Sequence, residues 1–305
     1  MEHLTISNLQ FMKMKFKIFL PFLITITSIT AIRLIAQDDL EKLLDSQAGD
    51  EINYVYATFK NTHVLNGHSI ETLKHRNLEF RISHRFGELS QGVYNFWGLD
   101  QANIHFSLDY GIYDWFNIGV GRGTYEKTFD GFVKFKIFRQ TTGARQMPVS
   151  IAYLISIAVN SINEKALNDY FTNRLSFCHE LMIARKLNDI LSLQISPVIV
   201  HRNFVETAID LNDLFALGLG GRIKLSKRIS FNAEYFYVAK PSSVDYAFYN
   251  PLSMGFDIET GGHVFQLHLT NSLAMIEKGF IGETTGKWKN KGIHIGFNIT
   301  RTFAL

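Results

Sequence analysis

Between Asn103 and Gly123 the chain alternates residue by residue. Ile104, Phe106, Leu108 and Tyr110 lead to a tight corner at Gly111–Asp114, and Phe116, Ile118 and Val120 follow it. Successive side chains on a strand point to opposite faces, so this period of two writes a hairpin with one apolar and one polar face. The polar face carries Asn103, His105, Asp109 and Asn117, with glycines at 119, 121 and 123. A hairpin of this kind belongs to half of a soluble sandwich or to the wall of a membrane barrel. The rest of the chain favours the barrel.

Twelve segments carry the strand pattern: Lys74–Phe86, Gln101–Gly111, Trp115–Gly123, Gly131–Arg139, Pro148–Asn160, Phe171–Arg185, Ile190–Arg202, Asp213–Leu225, Arg228–Ala239, Leu252–Thr260, Gly262–Asn271 and Gly292–Phe303. Most are long enough to cross a bilayer at a tilt, which takes about 9–11 residues. Soluble strands average about 5–6 residues. The 26 phenylalanines and only 5 prolines suit long strands. Connections alternate long and short. Gly87–Asp100, Thr124–Asp130, Ser161–Tyr170, Asn203–Asn212, Lys240–Pro251 and Ser272–Lys291 are long, whereas Ile112–Asp114, Gln140–Met147, Lys186–Asp189, Ser226–Lys227 and Gly261 are short. Outer-membrane barrels have short periplasmic turns and long external loops, so both ends of the barrel fall on the periplasmic side. Tyr54–Thr62 would make a thirteenth strand and break the alternation. It is therefore expected inside, as a plug or lumen-lining segment.

The two faces differ sharply. Leu78, Phe80 and Ile82, Val133, Phe135 and Ile137, and Ile295, Phe297 and Ile299 are outward examples. The expected lumen-lining set is Glu79, Arg81, His105, Asp109, Lys134, Lys136, Arg174, Glu180, Arg222, Lys224, Glu234, Asp257, Glu259, His268 and His294, with Lys60, His63 and His68 on the plug. A soluble sandwich would bury unpaired charges at several kcal/mol each. With Arg202 added, the inward charges number seven basic and six acidic, which does not make an ion-selective pore of one sign. They read either as salt bridges closing the interior or as a polar conduit. Aromatics near strand ends (Tyr94, Phe96, Trp97, Tyr113, Trp115, Tyr246, Phe248, Tyr249, Trp288) suit interfacial girdles. His179 has outward parity near mid-strand, where an ionisable group is costly.

Lys13, Lys15 and Lys17 precede an apolar run from Ile18 to Ile32, the layout of a secretory signal peptide, with cleavage expected between Ala36 and Gln37. The alternative, an uncleaved anchor, is disfavoured because the run is shorter than the about 20 residues of a spanning helix. The organisation read is 1–36 signal peptide, 37–72 a short periplasmic helix (Asp38–Gln47) and then the lumen segment, and 73–305 the outer-membrane barrel. Cys178 is the only cysteine and reads as an inert strand thiol. A net charge of +3 gives no case for nucleic acid.

The runs Ala57-Thr58-Phe59-Lys60, Asn66-Gly67-His68-Ser69, Glu79-Phe80-Arg81-Ile82-Ser83-His84-Arg85-Phe86-Gly87, Gly98-Leu99-Asp100-Gln101-Ala102, Asp109-Tyr110-Gly111-Ile112 and Gly119-Val120-Gly121-Arg122, extending through Asp130-Gly131-Phe132, add a family likeness. They resemble an uncharacterised β-barrel family of Bacteroidota outer-membrane proteins, over nearly the whole mature chain. The resemblance implies the barrel and the outer-membrane location, and no activity or site residues.

Chemical motifs are sparse. His63, His68 and His75 lie close in sequence but lack tight ligand spacing, and a turn at Asn66-Gly67 is the simpler reading, so no metal or cofactor is expected. No Gly-x-Ser-x-Gly or phosphate loop occurs. His179 and Ser196 have opposite parity and should not meet, so no enzyme is expected. The expected fold is an all-β transmembrane antiparallel barrel of about twelve strands with an N-terminal inner segment. The expected partners are outer-membrane lipid and a small polar solute that passes through or binds in the lumen or loops. The alternative is a structural barrel that docks an envelope protein through 272–291. A secreted β-sandwich or a lipid-modifying barrel enzyme ranks lower.

Overall fold

The computed structural model describes residues 51–205, 207, 210–240 and 248–305. The expected leader, the Asp38–Gln47 helix and Tyr246 lie outside the described residues. The chain divides into two units, residues 1–53 with 143–145, and residues 54–142 with 146–305. Within the first, Ala144 N donates to Glu51 O at 3.3 Å.

The second unit is a closed antiparallel barrel of twelve strands. They are β1 Asn77–Glu88, β2 Ala102–Tyr113, β3 Phe116–Gly123, β4 Phe129–Phe138, β5 Ser150–Val159, β6 Leu175–Lys186, β7 Leu191–Arg202, β8 Asp213–Lys224, β9 Ile229–Val238, β10 Leu252–Thr260, β11 His263–Thr270 and β12 His294–Ala304. Each strand pairs with its neighbours in sequence, and β12 closes the ring on β1 with Ile299 opposite Ile82. Closure removes the exposed edge that an open sheet would present to lipid.

The short connections are closed by local turn chemistry. Asn188 Oδ1 accepts from Ile190 N (2.9 Å) and Leu191 N (2.7 Å), and Ser226 Oγ accepts from Ile229 N (3.0 Å). Side-chain acceptors of this kind reverse the chain without a ladder. The β10–β11 turn uses Gly261 (φ +33°) and Gly262 (φ +155°), a backbone that side chains resist.

Burial alternates along the wall as the period of two requires. Phe106, Leu108, Val120, Leu193, Ile195, Leu217, Leu219, Phe256 and Leu267 are exposed on the outside. Glu79, Arg81, His105, Asp109, Lys134, Glu180, Glu234, Gln266 and Asn298 are buried inside. This inverts a soluble protein, and only lipid makes an outer apolar surface of this extent favourable. Among the described residues no helix is long and apolar enough to cross a membrane. The strands make the crossing. His179 keeps its outward place by accepting or donating at the Tyr153 hydroxyl, 2.8 Å from its Nδ1.

The glycines on the second strand of the first hairpin make room. A Cβ on Gly119 would sit 2.2 Å from the Phe132 ring and 2.6 Å from Asp109 Oδ1. One on Gly121 would sit 2.6 Å from His105 Nε2, which pairs with Asp130 at 2.7 Å. Gly119→Ala is therefore expected to destabilise the barrel by about 1–3 kcal/mol through overpacking. A melting temperature unchanged from the parent would contradict it.

Two parts of the wall depart from the sequence reading. Phe171–Arg174 is a 3-10 turn, and β6 starts at Leu175. Arg174 is therefore not a lumen-lining strand residue. It sits at the long-loop end, where its Nη1 donates to Asn160 O and Ile162 O at 2.8 Å each, a local capping role that parity counting cannot see. The connection between β11 and β12 is the second. Its residues Ser272, Ala274, Phe280, Ile281 and Thr284 are buried, so most of it turns inward instead of forming an external surface.

Candidate functional site

Residues 57–73 run through the interior of the ring. Asn66-Gly67 makes a tight turn, with Val64 N donating to Gly67 O (2.8 Å) and Ser69 N to Thr62 O (2.9 Å). The dipeptide is the strongest short hairpin signal. Eight of the twelve strands hold this inner segment. Arg222 (β8) donates to Ala57 O (2.9 Å), and Lys60 pairs with Glu259 (β10). Asn61 Nδ2 donates to Thr300 Oγ1 (β12, 2.8 Å), and Thr62 Oγ1 donates to Glu79 Oε1 (β1, 2.6 Å). Gln266 Nε2 (β11) donates to Val64 O (2.9 Å), Gln194 Nε2 (β7) to His68 O (2.8 Å), and Lys134 Nζ (β4) to Glu71 O (2.7 Å).

The densest grip is on the hairpin tip. Glu234 of β9 accepts from three successive backbone N–H groups, Leu65 (3.3 Å), Asn66 (2.7 Å) and Gly67 (3.1 Å). Arg81 Nη2 and Asn298 Nδ2 donate to Leu65 O at 2.7 and 3.1 Å, and Arg85 Nη2 donates to Asn66 Oδ1 at 2.5 Å. The turn thus presents its donors to a carboxylate and its acceptors to guanidinium groups. Gly67 is required because a Cβ there would lie 2.8 Å from Phe236 Cζ.

A second element covers part of the interior from the long-loop side. The short helix Glu277–Gly282 lies in the β11–β12 connection. Phe280 and Ile281 are fully buried, and Phe280 packs on Phe236 at 5.1 Å between ring centroids. Glu277 Oε1 is 3.4 Å from His68 Nε2 of the inner hairpin, and the His68 ring lies tilted against His63 with centroids 4.0 Å apart. Lys278 pairs with Glu126 and with Glu283 (2.8 Å). Consecutive residues of one helix therefore touch the inner segment and the 3-10 turn Tyr125–Lys127 of a neighbouring long loop. Above the helix an outer vestibule of about 340 Å³ opens, bordered by Arg174, Arg202, Lys278 and Glu283.

The sequence pattern of a membrane-bound β-barrel domain of unknown function, DUF5777, matches residues 59–303. The chain belongs to this family. The match begins at the inner segment and ends in β12, so the DUF5777 unit comprises the ring together with the hairpin that fills it. No curated protein matches the chain. Among solved structures, it is similar to the NanC porin (TM-score 0.47, 9% identity, 75% of this chain and 100% of that one). It is also similar to the KdgM porin (TM-score 0.44, 8% identity, 75% and 99%) and to the outer membrane protein Omp33 of Acinetobacter baumannii (TM-score 0.39, 9% identity, 75% and 98%).

Within this DUF5777 barrel the expected inward residues fall into three places. Glu79, Arg81, His105, Asp109, Lys134, Glu180, Arg222, Glu234, Asp257 and His268 are buried in the interior. Lys136, Lys224 and Glu259 are half-buried at the short-turn end, with Lys136 3.6 Å from Glu71. His294 is buried near the opposite end, its Nδ1 2.8 Å from Phe86 O. Lys60 reaches Glu259 of the wall and His68 reaches Glu277 of the helix, whereas His63 keeps to the segment itself, against His68 and 3.1 Å from Thr62 Oγ1. His75 stands apart at the short-turn end, its N donating to Asp114 Oδ1 (2.8 Å), and no group among the described residues gathers three metal-ligand side chains. Sequence reasoning missed the Glu277–Gly282 helix. Its signal was the apolar run Ala274-Met275-Ile276 with Phe280-Ile281, which a water-exposed loop would not carry.

Titration of the inner contacts has a definite sign. Burial, then Arg81 and Lys134 nearby, holds the His63 and His68 imidazoles well below their usual range. Released imidazoles take up protons near about pH 6.5, while the docked ones do not. The histidine contribution to docking is therefore full above that pH and lost as pH falls below it. Burial raises the Glu277 carboxyl, so Glu277 acts in the opposite sense and favours docking as pH falls. Amide protection of residues 61–70 is expected to drop between pH 7 and pH 5. The drop should vanish in a His63→Gln/His68→Gln double variant. Protection that rises on acidification would contradict the assignment.

Proposed function

We propose that the protein is an outer-membrane barrel that admits a small polar solute, and that residues 57–73 are the closure such passage must displace. The long-short alternation of connections and the apolar outer band support the outer-membrane location. The observation that carries the reading is the chemistry of the wall behind the closure. Asp109 is 1% exposed, yet neither of its carboxylate oxygens has a hydrogen-bond partner among the described residues. A permanently sealed interior is stabler with apolar filling than with unpaired charge. A polar wall bridged to a polar, hydrogen-bonded insert is what a wettable lumen looks like when its own chain closes it.

Catalysis is not part of the proposal. Ser196 is buried inside, hydrogen-bonded by Gln194 Nε2 at 3.1 Å, while His179 faces outward opposite Ile199. Docking of an envelope protein is the second reading, and the exposed Lys287, Lys289 and Lys291 of the β11–β12 connection support it. Uptake separates the two. Deletion of the gene should slow uptake of small hydrophilic solutes if the barrel admits them. Unchanged uptake, with loss of a co-purifying partner on shortening 286–292, would favour docking.

A further inference from the structure

The helix Glu277–Gly282 sits on an exception in the wall. Phe280 and Ile281 belong to a buried apolar cluster with Val198 and Val200 of β7, Leu214 of β8 and Phe236 of β9. Burial against the helix keeps this apolar part of the inner wall out of water.

From that seat the helix reaches the inner hairpin twice. Glu277 meets His68 directly. Phe280 acts through Phe236, whose ring centroid is 5.1 Å from its own. A Cβ on Gly67 would lie 2.8 Å from Phe236 Cζ, and one on Gly218 2.6 Å from Phe236 Cε1. The Phe236 ring therefore packs against both the hairpin turn and β8, and in a close-packed interior it does not shift alone. The same helix is tied to three long connections. Lys278 pairs with Glu126 between β3 and β4, and with Glu283. Glu126 also accepts from Asn160 Nδ2, at the start of the β5–β6 connection (3.0 Å). Tyr249 N, between β9 and β10, donates to Thr284 O just past the helix (2.6 Å).

We propose that this helix is a lock on the inner hairpin. Its docking is coupled to that of residues 61–70, so an event in the long loops that frees the helix also loosens the closure. The use of this lock in admitting a solute rests on the function proposed above. The coupling itself does not.

The test is amide hydrogen exchange on the intact full chain in detergent micelles. Lys278→Gln removes the pairs with Glu126 and Glu283 and leaves Glu277, Phe280 and the hairpin in place. Exchange should quicken about tenfold at the Phe280 and Glu283 amides, which bond to Ile276 O and Gly279 O. The Val64 and Ser69 amides of the hairpin should quicken by a similar factor, while the strand ladders keep the parent rates. Glu126→Gln should act alike from the loop side, and Lys278→Arg should restore the parent rates. Coupling is reciprocal, so loss of residues 57–72 should quicken the helix amides in turn. A faster helix beside an unmoved hairpin would overturn the proposal. So would helix rates unmoved in both Gln variants, or strands that quicken by the same factor. Conductance plays no part in these readings, so a barrel that never conducts would sink the passage reading and leave the lock standing.

Discussion

Glu234→Ala should release the inner hairpin from the wall. Three backbone N–H groups, of Leu65, Asn66 and Gly67, converge on the two carboxylate oxygens. Hydrogen bonds to a charged group contribute about 1.5–3 kcal/mol each, and a buried donor left without a partner costs about 1–3 kcal/mol. Truncation also leaves Arg81 and Arg85 facing the tip with no counter-charge there. A loss of at least about 3 kcal/mol in docking follows, about two orders of magnitude in the open fraction. Hydrogen exchange at residues 64–68 should accelerate by that factor, while the barrel strands keep their protection. Glu234→Gln retains a single acceptor oxygen and should fall between. Equal exchange in parent and Glu234→Ala would mean that the other anchors, Arg81, Asn298 and Gln266, suffice alone.

Removal of residues 57–72 should have the larger consequence. The interior wall then loses the partners of Arg222, Lys134, Glu234, Gln266 and Asn298. Inside a soluble core such a deletion would be ruinous, because every one of those groups would be buried and unpaired. In a barrel open at an end, water replaces the segment, and the strand ladders that hold the ring are untouched. The variant should keep its strand content by circular dichroism but melt lower. Cells carrying it should become more permeable to small hydrophilic compounds than cells carrying the parent. A variant that neither folds nor inserts would show instead that the segment is part of the folding nucleus, and the closure assignment would fail.

The wall was legible because lipid outside and polar groups inside enforce a period of two over long segments. Ile104, Phe106 and Leu108 against His105, Ser107 and Asp109 state the rule, and the ring of twelve strands repeats it. The inner segment was legible more indirectly, through strand parity and through Asn66-Gly67. Its anchors were not. Glu234 and Arg85 meet the hairpin tip across 168 and 19 residues of sequence, and nothing local encodes such a meeting. Arg174 was misplaced because an alternating pattern runs on through a 3-10 turn that keeps no strand parity. The β11–β12 connection was misjudged by length alone. Its buried Phe280 and Ile281, and Lys278 drawn in between Glu126 and Glu283, show that a long loop can spend its residues inside the ring.

The aromatic residues divide in the same way. Tyr113, Trp115, Phe116 and Phe135 stack in series at the short-turn end, with centroids 5.6, 5.8 and 4.8 Å apart. That is the interfacial belt expected of a membrane barrel. Phe248, expected in the same belt, is 5% exposed and belongs to the vestibule, with Lys240 over its ring at 3.8 Å. Position near a strand end does not distinguish the two, because both faces of the wall meet there.

The most direct test of the closed lumen is single-channel recording of the intact mature protein in a planar bilayer, beside the variant lacking residues 57–72. The account predicts a silent intact barrel and steady, ohmic steps from the variant. Steady conductance in the intact protein would contradict it, since solute would then pass with the hairpin in place.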